Sequence, residues 1–134
     1  MIGMLQGKIW GQTQCIFNKN NVELHRISVN KGGYCSIHIH QTKFNMFFVE
    51  SGKLKVTIFR GDEPGPTDST ILTSGMATLV NPGEKHIFEA LENSIAYEIY
   101  WVELVHNDIV RFEEGGMKAM PNQLADKAKQ PGYT

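Results

Sequence analysis

The 134-residue chain is predicted to fold as a single all-β domain, closed or sandwiched, on three observations. Valine, isoleucine, threonine, phenylalanine and tyrosine crowd its middle. Short runs of these residues are broken at regular spacing by glycine, proline and asparagine turns. No internal repeat or linker divides the chain, and its length suits one domain with a real core.

About ten short strands are expected. Residues 13–18 and Val22–Val29 flank the turn Lys19-Asn20-Asn21, a hairpin pattern of two β runs around an asparagine pair. Lys31-Gly32-Gly33 turns into a strand over residues 33–40. Residues 46–50 and 54–60 flank Ser51-Gly52-Lys53, read as a second hairpin, and the Gly/Pro/Asp-rich stretch 61–68 reads as a surface loop. Residues 70–73, 76–80, 86–91 and 95–105 complete the strands. The domain is placed at residues 1–116. A polar tail follows at 117–134, with one short helix over 121–129 and a frayed end.

Charge narrows the function. Thirteen Lys and Arg balance fourteen Asp and Glu for a net charge of −1, and the basic residues are scattered. That leaves no footprint for nucleic acid or an anionic membrane. No apolar run approaches the roughly 20 residues that span a bilayer, and Met1-Ile2-Gly3-Met4-Leu5 leads at once into polar residues, so no signal peptide is expected. The two cysteines, Cys15 and Cys35, read as free thiols and the location as cytoplasmic.

The most informative local feature is His38-Ile39-His40, with His86 further on. A strand sends residues i and i+2 to one face, so Tyr34, Ser36, His38 and His40 share a face and Cys35, Ile37 and Ile39 take the other. Two imidazoles on one strand face are natural ligands for Zn, Fe, Ni, Mn or Cu. Taken alone, the pair also reads as two histidines on a solvated face.

The flanking residues point further. Gly32, His38, His40 and Gly52 fit the pattern G-x5-H-x-H-x4-E-x6-G, with Asn45 standing at the acid. Gly75, Gly83 and His86 fit G-x5-P-x-G-x2-H-x3-N, with Asn81 at the proline and Ala90 at the final Asn. These two motifs, in this order, resemble those of the cupin superfamily. The resemblance implies a double-stranded β-helix, a jelly-roll barrel, with one divalent transition metal (Zn, Fe, Ni or Mn) held by His38, His40 and His86, and by Asn45 if its carbonyl oxygen ligates. It also implies a homodimer, and residues 8–18 are expected to form an edge strand that a second chain covers.

A narrower resemblance is to the cupin domain of type II mannose-6-phosphate isomerases. Asn107-Asp108-Ile109-Val110-Arg111-Phe112-Glu113-Glu114 is similar to that family's D-D-I-V-R-[LF]-E-D run. Ile9-Trp10-Gly11 is similar to its R-P-W-G opening, and Ser36 through Phe47, Glu50-Ser51-Gly52 and Lys85-His86 follow its pattern. The departures fall on the chemistry. The family's ligand set is Gln, His, Glu, His, where this chain has His38, His40, Asn45 and His86. These 134 residues include no counterpart of the family's guanylyltransferase domain, so its activity is not expected here, and Lys118 alone approaches a downstream arginine.

Lys43 and Lys85 flank the ligands and are candidates to meet a phosphate or carboxylate. Tyr34 and Tyr97 are candidates to contact substrate, and Ser36, Phe47, Phe88 and Trp101 to line a cavity. Glu98 and Glu103 fall on opposite faces of the last strand, so one can point inward as a general base. His25 and His106, without motif context, are expected at the surface. The residues therefore support three readings: a metal-binding protein acting on or binding a small polar ligand such as a sugar or sugar phosphate, a three-histidine Fe(II) dioxygenase, or a non-catalytic ligand-binding module.

Overall fold

The computed structural model describes residues 3–61, 65–103 and 110–118. Residues Met1–Glu103 form one compact unit and Leu104–Thr134 a second. In the second, residues 110–118 carry neither helix nor strand, and the expected helix over 121–129 lies outside the described residues.

The first unit is built from β1 (Leu5–Lys8), β2 (Gly11–Lys19), β3 (Val22–Val29), β4 (Phe44–Ser51), β5 (Leu54–Phe59), β6 (Thr67–Leu72), β7 (Ala77–Val80), β8 (Lys85–Ala90) and β9 (Ser94–Trp101). The described residues contain no helix. Six strands form one antiparallel sheet in the order β1-β2-β3-β9-β4-β7, and three form another in the order β6-β5-β8. Their inner faces meet in one core, as the all-β jelly-roll expectation requires. Ile27, Val29, Phe47, Val49, Val80 and Ala96 come from the larger sheet, and Leu54, Val56, Leu72, Phe88 and Ala90 from the smaller. Alternate residues supply the core: β8 runs intermediate, buried, intermediate, buried along its length. Fully burying a side chain such as Phe47 contributes about 2–3 kcal/mol from area removed from water.

The turn chemistry explains two connections. Asn20 and Asn21 have φ of 55° and 64°, the pair of positive values a two-residue type I′ hairpin needs, and Lys19 pairs with Val22 across it. Gly52 has φ of 93°, and a Cβ there would sit 2.3 Å from the Asn93 carbonyl oxygen, so only glycine fits.

Several expectations are corrected. The run Ser51-Gly52-Lys53 is not a hairpin turn: β4 pairs with β7 and β9, while β5 pairs with β6 and β8, so the turn carries the chain from one sheet to the other. Residues 8–18 are not an edge, because β2 lies between β1 and β3 and the edge belongs to β1. The segment 33–40 is not a regular strand and makes only two isolated bridges to β8, Tyr34 with Glu89 and His38 with His86. The strand expected over 70–73 begins earlier, at Thr67. The last strand ends at Trp101; residues 102–103 are irregular and 104–105 lie outside the described residues.

Candidate metal centre

The three motif histidines are brought together by backbone bonds. His38 and His86 exchange two hydrogen bonds, each N–H donating to the other's carbonyl, at 3.1 and 3.0 Å. This sets the two residues directly opposite, with ring centroids 4.3 Å apart. His40 is fixed from the second motif, where the Gly83 N–H donates to the His40 carbonyl at 2.8 Å. The turn before His86 is itself tied down: the Glu84 carboxylate accepts from the Asn81 N–H at 2.7 Å and from Arg60 at 2.8 Å. The ligand atoms of His38, His40 and His86 all lie within 4.8 Å of one another.

The rings are oriented for coordination. Nδ1 of His38 donates to the Ser36 carbonyl at 2.6 Å, and Nδ1 of His86 donates to the Glu84 carbonyl at 2.8 Å. A carbonyl only accepts, so the hydrogen of each ring sits on Nδ1 and the Nε2 lone pair is left bare. Nε2 of His40 and Nε2 of His86 are buried without a hydrogen-bond partner. Burial, with smaller contributions from His38, His86 and Lys43, pushes His40 down to about 4, and burial also lowers His86. Both are held as neutral imidazole, the form that binds metal.

Asn45 completes the picture. It points inward from β4, fully buried, between Val80 and Tyr100 on the neighbouring strands. Both its amide atoms lack a partner. An unsatisfied buried amide costs about 1–3 kcal/mol, so native structures normally supply it with one. Two orphaned imidazole nitrogens and an orphaned amide, all neutral, fit a divalent transition metal, which would satisfy them as ligands or through its bound water.

The cluster opens into a cavity of about 980 Å³ whose lining includes His38 and His40. Opposite them are two polar groups from β9 and β3. Glu98 and Tyr100 face inward on β9, and the Tyr100 hydroxyl donates to the Glu98 carboxylate at 2.5 Å. Burial raises Glu98 to about 7 against the lowering effect of that hydrogen bond, and burial together with Glu98 raises Tyr100 above the ordinary phenol range. The Tyr100 ring packs edge-on against His40 at 5.2 Å and His25 at 5.6 Å. From β3, Glu23 accepts from Lys43 Nζ at 3.0 Å and lies 3.8 Å from His25. The hydrogen bond from Lys43 holds Glu23 below the usual carboxylate range, and burial lowers His25. Trp10, Ile27 and Phe88 give the cavity its apolar wall.

Of the residues singled out from sequence, Tyr34, Ser36, Lys43, Phe88 and Glu98 line this cavity. Phe47 is in the core, with its ring 6.4 Å from His86. Others fall elsewhere. Tyr97 sits on the outer face of β9, its hydroxyl donating to Glu50 at 3.2 Å and its ring against Phe48. Trp101 stacks on Phe44, also outside. Lys85 lies over the Phe59 ring at 5.9 Å. Glu103 is exposed beyond the end of β9. His25, expected at the surface, is half-buried in the cavity wall because β3 turns its odd-numbered residues inward. The roles of Tyr100 and Glu23 were missed. The alternation Glu98-Ile99-Tyr100, which puts an acid and a phenol on one face, was the available signal.

Residues 25–103, more than half of the chain, match the profile of the family described as the cupin domain, and the chain belongs to the cupin superfamily. Solved structures agree in fold. KdgF from Halomonas sp. superposes with a TM-score of 0.63 at 16% identity, covering 75% of this chain and 89% of that one. The Bacillus subtilis oxalate decarboxylase, a protein with Mn(II) centres, gives 0.64 at 17% identity over 74% of this chain. This chain spans only 27% of the decarboxylase. The cupin domain of Schizosaccharomyces pombe Cnp3 gives 0.62 at 13% identity, covering 75% and 69% of the two chains. No curated protein matches the chain in sequence.

Proposed function

We infer that this cupin binds one divalent transition metal through His38, His40 and His86, assisted by the amide oxygen of Asn45, and moves a proton on a small polar ligand, a sugar or sugar phosphate. The observation that carries the reading is Glu98, a buried carboxyl that opens into the same cavity as the three-histidine cluster. A metal-dependent aldose–ketose interconversion needs a base that both takes a proton from one carbon and returns it to the next. A carboxyl held at about 7 is divided between its two forms at neutral pH and suits both halves of that task.

When bound, the metal supplies Lewis-acid polarisation of the ligand's oxygens, with its charge undiminished by any anionic protein ligand. The protein's own groups do the rest. Ionised Glu98 accepts the C2 proton of an aldose and, as the acid, returns it to C1, while one proton passes from O2 to O1. Tyr100 holds the Glu98 carboxylate in place through its hydroxyl. Lys43, on the cavity wall beside Glu23, presents a point charge to a phosphate or carboxylate. Tyr34 offers a ring at the cavity wall for the ligand. The likeness to the type II mannose-6-phosphate isomerase cupin in the Trp10-Gly11 and Lys85-His86 runs supports the sugar phosphate as first probe.

A second reading, a small Fe(II) dioxygenase, is favoured by the neutral three-imidazole donor set alone. One experiment separates the two. Protein loaded in turn with Zn, Mn, Ni and Fe(II) is incubated with mannose 6-phosphate and fructose 6-phosphate in D₂O, with proton NMR following deuterium entry at C1 and C2. Metal-dependent exchange that Glu98→Gln abolishes, with metal content retained, is the expected result. Oxygen uptake with the iron form and no exchange with any metal would replace the isomerase reading by the dioxygenase.

A further inference from the structure

The cavity beside the three-histidine cluster has its charges sorted by end. Its lining holds two acids, Glu23 and Glu98, and three lysines, Lys8, Lys31 and Lys43. Lys43 is already engaged: it donates to Glu23 at 3.0 Å and lies over the Tyr100 ring at 5.7 Å. Glu98 takes the Tyr100 hydroxyl. Lys8 and Lys31 differ. Among the described residues, neither ammonium group has a hydrogen-bond or ion-pair partner.

The fold brings these two lysines to one end. Lys8 pairs with Gly11 across the β1–β2 hairpin, and Gly11 pairs with Val29 on β3, shortly before Lys31. The two turns are bonded to each other, the Asn30 N–H donating to the Trp10 carbonyl at 2.9 Å. Two strand spacings, about 10 Å, separate the Lys8 and Val29 backbones, a gap that two flexible lysine stems close from either side. Gln6, Thr13 and Asn30 add neutral polar side chains to the lining there. The histidines stand at the other end. Glu23 pairs with Tyr100, whose ring packs on His40. Glu23 and Val29 lie near opposite ends of β3, about 20 Å apart along the strand. Burial raises Glu98, while the Tyr100 hydroxyl and, across the cavity, the charge of Lys8 lower it, which puts the two ends within electrostatic reach of each other.

We propose that Lys8 and Lys31 form the anion subsite of this cavity and seat the phosphate of a sugar phosphate whose reacting end lies at the histidine cluster. Charge selects the ligand. A phosphate monoester carries about two negative charges at neutral pH, which two unpaired ammonium groups match; a carboxylate answers only one of them. Geometry selects which phosphate. In an open-chain hexose 6-phosphate the phosphate is at the far end of the chain from C1 and C2, as the lysines are from the histidines. A 1-phosphate places its charge on the reacting carbon instead. The choice of a sugar phosphate rests on the function inferred above. The subsite itself rests on the two lysines, and it moves phosphate recognition away from Lys43, whose charge Glu23 already answers.

Isothermal titration calorimetry on the zinc-loaded protein tests it, with mannose 6-phosphate, mannose 1-phosphate and mannose as probes. Mannose 6-phosphate should bind more tightly than either of the others. Lys8→Met and Lys31→Met, both at exposed positions, should each weaken it about tenfold, the usual cost of a lost hydrogen bond to a charged group, with zinc content unchanged. Lys8→Arg, which keeps the charge, should retain binding, and Lys43→Met should cost less than either methionine variant. Mannose should bind the wild type and the variants alike. The proposal is overturned if mannose 6-phosphate does not bind the wild type, or binds no better than the 1-phosphate. It is also overturned if the double variant Lys8→Met/Lys31→Met binds mannose 6-phosphate as the wild type does, or if mannose loses as much as its phosphate. The isomerase reading fails separately: binding that needs both lysines, with no deuterium exchange under any metal, leaves the subsite standing and removes the isomerisation.

Discussion

Glu98→Gln should change how stability depends on pH, and the direction follows from the burial of one carboxyl. In the folded chain Glu98 is held at about 7, against 4.5 for an ordinary glutamate, because burial disfavours its carboxylate by more than the Tyr100 hydroxyl and the charge of Lys8 stabilise it. Between those two values the folded state keeps a proton that the unfolded state has released. Stability then falls as pH rises, since it rises with pH only where the unfolded state binds more protons. The contribution is fully present below about pH 4.5 and lost once the pH passes about 7. At about 1.4 kcal/mol per pH unit, the whole change is about 3 kcal/mol. Glutamine keeps the shape and accepts the same hydrogen bond from Tyr100 but does not titrate. The stability of the wild type relative to Glu98→Gln should therefore drop by about 3 kcal/mol between pH 4.5 and pH 8, with the variant gaining on the wild type throughout. Urea unfolding of both proteins at half-unit steps of pH, with a chelator present so that no metal competes for the histidines, measures it. Histidine contributions are common to both proteins and cancel in the difference. A difference that stays flat over this range would refute the reasoning, because it would mean that Glu98 ionises in the fold as readily as in the unfolded chain.

Three other outcomes are expected. Purified protein should carry about one divalent metal per chain by elemental analysis; His40→Ala should abolish uptake, while His25→Ala, which removes a cavity-wall ring outside the cluster, should retain it. Asn45→Glu should raise metal affinity, because an anionic oxygen partly neutralises the ion; unchanged affinity with a lower melting temperature would show that Asn45 does not reach the metal. Phe47→Ala should cost about 3–5 kcal/mol in chemical denaturation, because it empties a fully buried ring that packs against Phe88 and lies near His86.

The sequence by itself determined the class of fold and the clustering of three histidines that could hold a metal. Strand periodicity and turn chemistry are local, so Val22–Val29 and the Asn20-Asn21 hairpin were legible residue by residue. The histidine spacing was legible for a different reason: two motifs at a fixed separation specify that two segments meet, and His38 and His86 do pair across the isolated bridge. Tertiary structure decided which sheet each strand joined and therefore what each face met. The Ser51-Gly52-Lys53 turn looks like a hairpin turn, yet it crosses between sheets, because β9 and β7 take both edges of β4. In the segment 33–40, Cys35 and His38 both line the cavity although strict alternation sets them on opposite faces; the irregular backbone between the two bridges absorbs the difference. Parity alone set Glu98 and Glu103 apart but not which of them faced the core. It likewise gave no sign that Tyr97 and Trp101 would turn outward while His25 turned in. Those assignments rest on pairings between strands far apart in the chain, and the energy that selects among them comes from burying the two inner faces together, which no local window of sequence contains.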